Sequence, residues 1–371
     1  MAQMNPRRAW IAIACLAAFL LAAALAVAAL LEGRPRASGY RSIDVWKIDS
    51  HQGAEPRTLL VALSQVATQR ILGIVNYAGG HVGGGLEEQI AVAGRFPGRV
   101  AIFMELDLDG CCGEAWSGRE LVRMVQGRAA GARGLGISEA PDPAAGEGAG
   151  KRVPVDAAEL EPIWDMAWRL EIPVAIRAGD PAPLRPPAGA RGGRRPDPAA
   201  PAGAALGELV RVVERHPGVR FIGARFGGGA EDPAEVSRLL DRLPNLYVDT
   251  ASCVSPLGRH ADAARAAILA HPDRVLFGTG LRWIASPTSR EEAAVVLGGG
   301  APATSMVQVR RFFESTWRFF ETRDEAIPAP DPAEAQLAIR GLGLPRPVLE
   351  KVFHGNAQRL LGFGELEQEQ P

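Results

Sequence analysis

Short runs rich in valine and isoleucine recur along this chain from Ile43 onward. They lie at Ile43–His51, Ile71–Tyr77, Arg99–Glu105, Ala132–Ser138, Ile172–Arg177, Val219–Arg225, Asn245–Thr250 and Arg274–Thr279. Apolar runs of this length predict strands buried on both faces of a parallel sheet. Between them the period changes. Ile163, Met166, Ala167 and Leu170 recur at i, i+3, i+4 and i+7, as do Leu206, Leu209, Val210 and Val213, and again Val236, Leu239, Leu240 and Leu243. That spacing gives a helix one apolar face. Asp156-x-x-Glu159, Asp232-Pro-x-Glu235 and Asp331-Pro-x-Glu334 read as capping boxes, the last two with proline at the first helical position. Eight strand–helix units in succession predict an α/β fold, a (β/α)8 barrel of the TIM type, over residues 43–363. Residues 33–42 read as a linker, the stretch from Asp331 as extra helices ending near Gly362, and residues 364–371 as a tail.

Two stretches break the rhythm. Pro141–Pro154 and Ala178–Ala205 are dense in Pro, Ala, Gly and charge, and too long for ordinary connections. The second follows the fifth strand and would overlie the barrel mouth, either as a lid or as a disordered insertion.

Ahead of the barrel, Trp10–Leu31 is an unbroken uncharged apolar run. At ~1.5 Å per helical residue it is long enough for a hydrocarbon core of ~30 Å. Residues 1–32 therefore predict a transmembrane anchor that tethers the barrel to a membrane, with the barrel outside the cytoplasm. The alternative is export with cleavage near the small residues Ala24–Ala28, and Arg7-Arg8 faintly matches a twin-arginine signal. Arginines flank the run on both sides, at Arg7, Arg8, Arg34 and Arg36, so charge bias leaves the orientation open.

Composition narrows the function. The chain is 47% hydrophobic and 22% charged, with a formal charge of -1, which provides no broad basic face for nucleic acid. The cations are arginines apart from Lys47, Lys151 and Lys351. The four cysteines have no zinc-finger spacing. Cys111 and Cys112 are adjacent and poorly placed to bridge each other, so they read as small loop or buried residues. A disulfide through Cys253 is the lesser alternative.

The strand tips carry the chemistry. They read Asp49-Ser-His51-Gln-Gly53 at the first strand, Ile172-Pro-Val-Ala-Ile-Arg177 at the fifth and Gly223-Ala-Arg225-Phe-Gly-Gly at the sixth. Pro244-Asn-Leu-Tyr-Val-Asp249-Thr, Asp273-Arg-Val-Leu-Phe-Gly-Thr279, Gly341-Leu-Gly-Leu-Pro345 and Gly355-Asn-Ala-Gln-Arg-Leu-Leu-Gly362 follow. In these motifs and their order the barrel resembles the amidohydrolase-related family, the amidohydrolase-2 group that includes aminocarboxymuconate-semialdehyde-decarboxylase-like enzymes. The resemblance implies a divalent metal such as zinc in the barrel mouth. Its ligands would be Asp-x-His-x-His at the first strand and histidines ending the fifth and sixth, with an aspartate ending the eighth. Here His51 matches the first histidine, while Gly53, Arg177, Arg225 and Gly280 stand at the other four positions. A guanidinium has no lone pair to give and carries permanent positive charge. The sequence thus predicts a barrel without a metal or other cofactor.

A relocated site built from His51 with His81 and either Glu105 or Asp249 is the remaining route to a metal. His216, His260, His271 and His354 fall on helix ends, on the surface or on a closing helix. Two guanidinium groups carry the formal charge of a divalent ion, so Arg177 and Arg225 predict an anion site for a small carboxylate or phosphate, with Asp180 and Asp249 as competing anions. Three functional readings follow. The first is a pseudoenzyme that binds such an anion, or a partner, at the mouth. The second is a hydrolase or lyase without metal, with His51 as general base and the arginines on the developing charge. The third is a structural envelope protein with no ligand.

Overall fold

The computed structural model describes residues 40–78, 85–108, 111, 113, 115–138, 153–177, 204–285, 293–297, 303, 305–334 and 336–364. Eight strands follow the predicted order: β1 Lys47–Ala54, β2 Ile71–Ala78, β3 Val100–Glu105, β4 Gly134–Ser138, β5 Val174–Arg177, β6 Phe221–Gly223, β7 Leu246–Asp249 and β8 Val275–Leu276. Each pairs in parallel with the next. The chain leaving β8 then returns to β1. Ser50 N–H donates to Phe277 O at 2.8 Å and Gly280 N–H to His51 O at 3.0 Å. These bonds join the last strand to the first, as a TIM barrel requires.

Two strands of this sheet were not expected, nor was a separate antiparallel pair at Ile327–Pro328 and Ala338–Ile339. β9, Leu281–Ala285, runs parallel to the tip of β1 through Gln52, Gly53 and Ala54, and β10, Ala293–Val296, pairs antiparallel with β9. The sheet therefore holds ten strands, and a hairpin extends it at the mouth. A helix at Met306–Glu321 was also unforeseen, although Val309, Phe312, Phe313, Thr316, Trp317 and Phe320 bury one face at helical spacing. The capping boxes divide. Asp232 accepts from Glu235 N–H at 3.1 Å, whereas Asp156 and Asp331 precede single 3-10 turns. The chain closes with helices at Arg346–Glu350 and Asn356–Leu361, the second ending at Gly362 with φ +67.

Ile48, Val75, Tyr77, Ala101, Phe103, Ala175, Ile222 and Leu276 share one core cluster with Ala357, Leu360, Leu361 and Phe363 of the closing segment. Phe363 also lies against Gly73, where an added Cβ would stand 3.0 Å from its ring. Burying these side chains supplies most of the favourable free energy, at about 25 cal/mol per Å² of apolar surface.

Among the described residues one lysine is inside. Lys47, at the start of β1, is 1% exposed. Its Nζ donates to Val45 O at 2.8 Å and sits 4.3 Å from the Trp317 ring centroid and 5.0 Å from that of Phe353. Burial pulls its pKa down to about 8, partly offset by Glu321. The folded state then binds fewer protons than the unfolded chain between about 8 and the ordinary 10.5, so this residue adds stability as pH rises through that window. Denaturant titrations at pH 7.5 and 10 are expected to show a gain on the order of 2 kcal/mol that Lys47→Met removes. An equal gain in the variant would refute the assignment.

The predicted transmembrane segment lies outside the described residues, as do His81, Cys112, Asp180 and all of Pro141–Pro154 but its last two positions. Most of Ala178–Ala205 lies there too. Among the described residues no helix is long and apolar enough to cross a membrane. Cys111 is disulfide-bonded rather than a plain loop thiol, and Cys253 is free and buried.

Candidate active site

The site starts with two buried aspartates, Asp49 within β1 and Asp249 at the end of β7. Asp49 of β1 is fully buried, and its oxygens accept from His51 N–H (3.1 Å), Thr279 N–H (2.9 Å), Gln52 Nε2 (2.7 Å) and the Thr279 hydroxyl. Burial pushes its pKa up to about 6 against the pull of those donors. Asp49 thus ties the first strand to the segment after the eighth. Asp249 ends β7 and is 0% exposed. Its Oδ1 accepts from Arg225 N–H at 2.8 Å and Ala251 N–H at 3.0 Å, while Oδ2 lies 2.9 Å from His51 Nδ1. A carboxylate only accepts, so Nδ1 carries the proton, and in the neutral imidazole Nε2 is the lone-pair acceptor.

His51 is 8% exposed, and no described residue bonds its Nε2. Its ring lies 4.7 Å from that of Tyr77 at the end of β2. Together His51, Tyr77, Glu105 and Arg177 make the polar lining of a small, partly open pocket, and Ile137, Ala175 and Ala224 make its apolar lining. Glu105 ends β3, and burial raises its pKa while Arg177, His51 and Arg123 pull it down. Burial, with Asp249 and Glu105 nearby, raises the Tyr77 phenol well above its ordinary range. Two polar atoms here have no hydrogen-bond partner despite burial: Tyr77 Oη and Arg177 Nε. Such atoms are rare and call for a ligand or water.

The sequence-predicted positions separate. His51 and Arg177 stand at their strand tips and share the cavity. Arg225 does not end a strand. β6 stops at Gly223, where a Cβ would meet Gly227 Cα at 2.8 Å, and the chain doubles back with Arg225 at φ +56 and Phe226 at φ +58. Its backbone N–H holds Asp249, and its side chain is not among those lining the cavity. Burial and the neighbouring Arg177 charge lower its pKa to about 10. Gly53 pairs with Arg282 of β9 and has room for a side chain, the nearest atom to an added Cβ being Arg282 Cγ at 3.6 Å. Gly280 has none: it sits at φ +72, and a Cβ would fall 2.2 Å from Ser252 Oγ and 3.1 Å from Ser252 N. Gly280 is therefore a turn glycine rather than a simply vacated ligand position.

The donors present can be weighed against a divalent ion. Asp49 and the His51–Asp249 pair are engaged with each other and with backbone donors, and a guanidinium faces the same space. Among the described residues no group of three or more His, Cys, Asp or Glu side chains could hold a metal. Catalytic zinc takes three protein ligands, and His81 of the relocated-site alternative lies outside the described residues. Glu105 and Asp249 were foreseen as companions of His51. Tyr77 was not, because a tyrosine ending an apolar strand looks like core until its hydroxyl is seen without a partner.

A parallel barrel with its polar residues gathered at the C-terminal ends of the strands belongs to the class of (β/α)8 enzyme folds. Within that class the chain belongs to the amidohydrolase family, whose Amidohydro_2 profile matches residues 58–363. An uncharacterised TIM-barrel protein from Bordetella bronchiseptica is 18% identical with a TM-score of 0.53, covering 86% of this chain and 99% of its own. The apo structure of the Agrobacterium tumefaciens protein ATU3138 is 12% identical with a TM-score of 0.52, covering 90% and 100%. A 2,6-dihydroxybenzoate decarboxylase from Rhizobium is 16% identical with a TM-score of 0.45, covering 86% and 99%. At these identities the first two show the fold alone. No curated protein matches the chain.

Proposed function

We propose that this protein is an amidohydrolase-family barrel that has given up the family's divalent metal and binds a small carboxylate at its mouth without turning it over. The observation that carries this reading is Arg177. Its guanidinium lines a small, partly open pocket, and its buried Nε has no acceptor. A carboxylate supplies that acceptor and neutralises the charge, through hydrogen bonds about twice as strong as neutral ones. Arg225 adds positive potential from behind the wall. Tethering to a membrane through residues 1–32, with the barrel outside the cytoplasm, is part of the proposal and is supported by the uncharged run Trp10–Leu31.

The test is isothermal titration calorimetry of the full chain with acetate at low salt, with elemental analysis of protein purified without added metal. Arg177→Ala is expected to weaken binding about tenfold to hundredfold, and Arg225→Ala only a few-fold and in a salt-sensitive way. Unchanged affinity in Arg177→Ala, or a full equivalent of zinc or manganese, would sink the reading.

The His51–Asp249 pair favours a second reading, in which Nε2 takes a proton from water or substrate in a hydrolase or lyase without metal. Turnover that resists chelators and vanishes in His51→Ala would replace the first reading with this one.

A further inference from the structure

We infer that the ligand of this cavity is a small 2-hydroxy monocarboxylate, recognised at its hydroxyl by Tyr77 and His51 while Arg177 holds the carboxylate. The inference rests on the carboxylate-binding reading above and specifies the chemistry of that same site.

Tyr77 is 6% exposed, lines the cavity, and leaves its Oη without a partner. Tyr77 belongs to the core cluster and also lines the pocket that His51, Glu105 and Arg177 share. It stays protonated at neutral pH and is a donor. His51 contributes the opposite kind of group. Asp249 accepts the Nδ1 proton at 2.9 Å, so Nε2 offers a lone pair.

One donor and one acceptor, on rings 4.7 Å apart, face the space beside Arg177. A hydroxyl satisfies both at once, accepting from Tyr77 Oη and donating to His51 Nε2. A keto oxygen only accepts, so it satisfies Tyr77 and leaves His51 facing a second lone pair. An unsubstituted methylene satisfies neither and buries both groups unpaired.

Size and charge narrow the class further. The pocket is small, which excludes drug-sized ligands. Ile137, Ala175 and Ala224 accept a short carbon skeleton. Glu105 stands in the same wall as Arg177, so a second carboxylate on the ligand would meet a like charge.

The test is calorimetric titration of the full chain with propionate, pyruvate and lactate, which share a carbon skeleton and differ only at the second carbon. Lactate is expected to bind about tenfold or more tighter than propionate, with pyruvate between them. Tyr77→Phe is expected to erase the advantage of pyruvate over propionate and to reduce that of lactate, whose hydroxyl keeps its bond to His51 Nε2. Equal affinities for the three acids in the unaltered protein would overturn this inference and leave carboxylate binding standing. Failure of all three to bind would overturn both.

Discussion

Replacing Asp249 with alanine is expected to destabilise the barrel by about 3–5 kcal/mol, the cost of breaking a buried charge network on one side. The carboxylate is fully buried and serves three donors: the N–H groups of Arg225 and Ala251 and the His51 imidazole. Alanine leaves all three without an acceptor, and a buried orphan costs about 1–3 kcal/mol. The losses are not simply additive, because the turn around Arg225 relaxes when its anchor goes. Asp249→Asn separates structure from chemistry. Its carbonyl oxygen still serves the two backbone donors, so the stability loss is expected to stay near 1–2 kcal/mol. Its amide, however, presents a donor to Nδ1, so the imidazole proton moves to Nε2 and the acceptor facing the cavity becomes a donor. Lactate should then lose its advantage over pyruvate. Chemical denaturation checks the first outcome and calorimetry the second; an alanine variant as stable as the parent would refute the network.

The second large effect separates two glycines that look alike in the sequence. Gly280→Asp is expected to cost about 2–3 kcal/mol and to create no metal site. The backbone there has φ +72, and a Cβ meets Ser252 at its hydroxyl and at its backbone nitrogen. The hydroxyl can swing away. The nitrogen cannot move freely, because Ser252 N–H bonds Thr279 O at 3.3 Å and Ser252 itself sits at φ +54. A side chain forced into that conformation costs about 1–3 kcal/mol. Gly53→His, by contrast, should stay within about 1 kcal/mol of the parent, since only Arg282 Cγ at 3.6 Å lies near its Cβ. Denaturation midpoints of the two variants read this out directly. Equal midpoints would mean that the turn at Gly280 holds no strain.

Much of the barrel was legible because its signals are local. Val and Ile runs mark strands buried on both faces, and Asp232-Pro-x-Glu235 caps its helix as read. What escaped were elements whose pattern is weaker than their environment. β9 and β10 form beyond Gly280 because β1 still offers backbone groups at Gln52–Ala54, a partner that no local periodicity announces. The helix Met306–Glu321 had a clear apolar face, yet it lay outside the eight-unit count and so was passed over.

The site divides along the same line. Residue types alone showed that Arg177 and Arg225 carry permanent charge and no lone pair, and that holds in any conformation. Position decided the rest. Only folding brings Asp249 from the seventh strand onto His51 from the first, leaves the Tyr77 hydroxyl and Arg177 Nε without partners in one cavity, and turns Arg225 back so that its backbone rather than its charge meets the aspartate. A side chain's charge is a covalent property, carried wherever the chain goes. Its partners, its burial and its tautomer are set by neighbours distant in sequence, and the closure of the barrel chooses those neighbours.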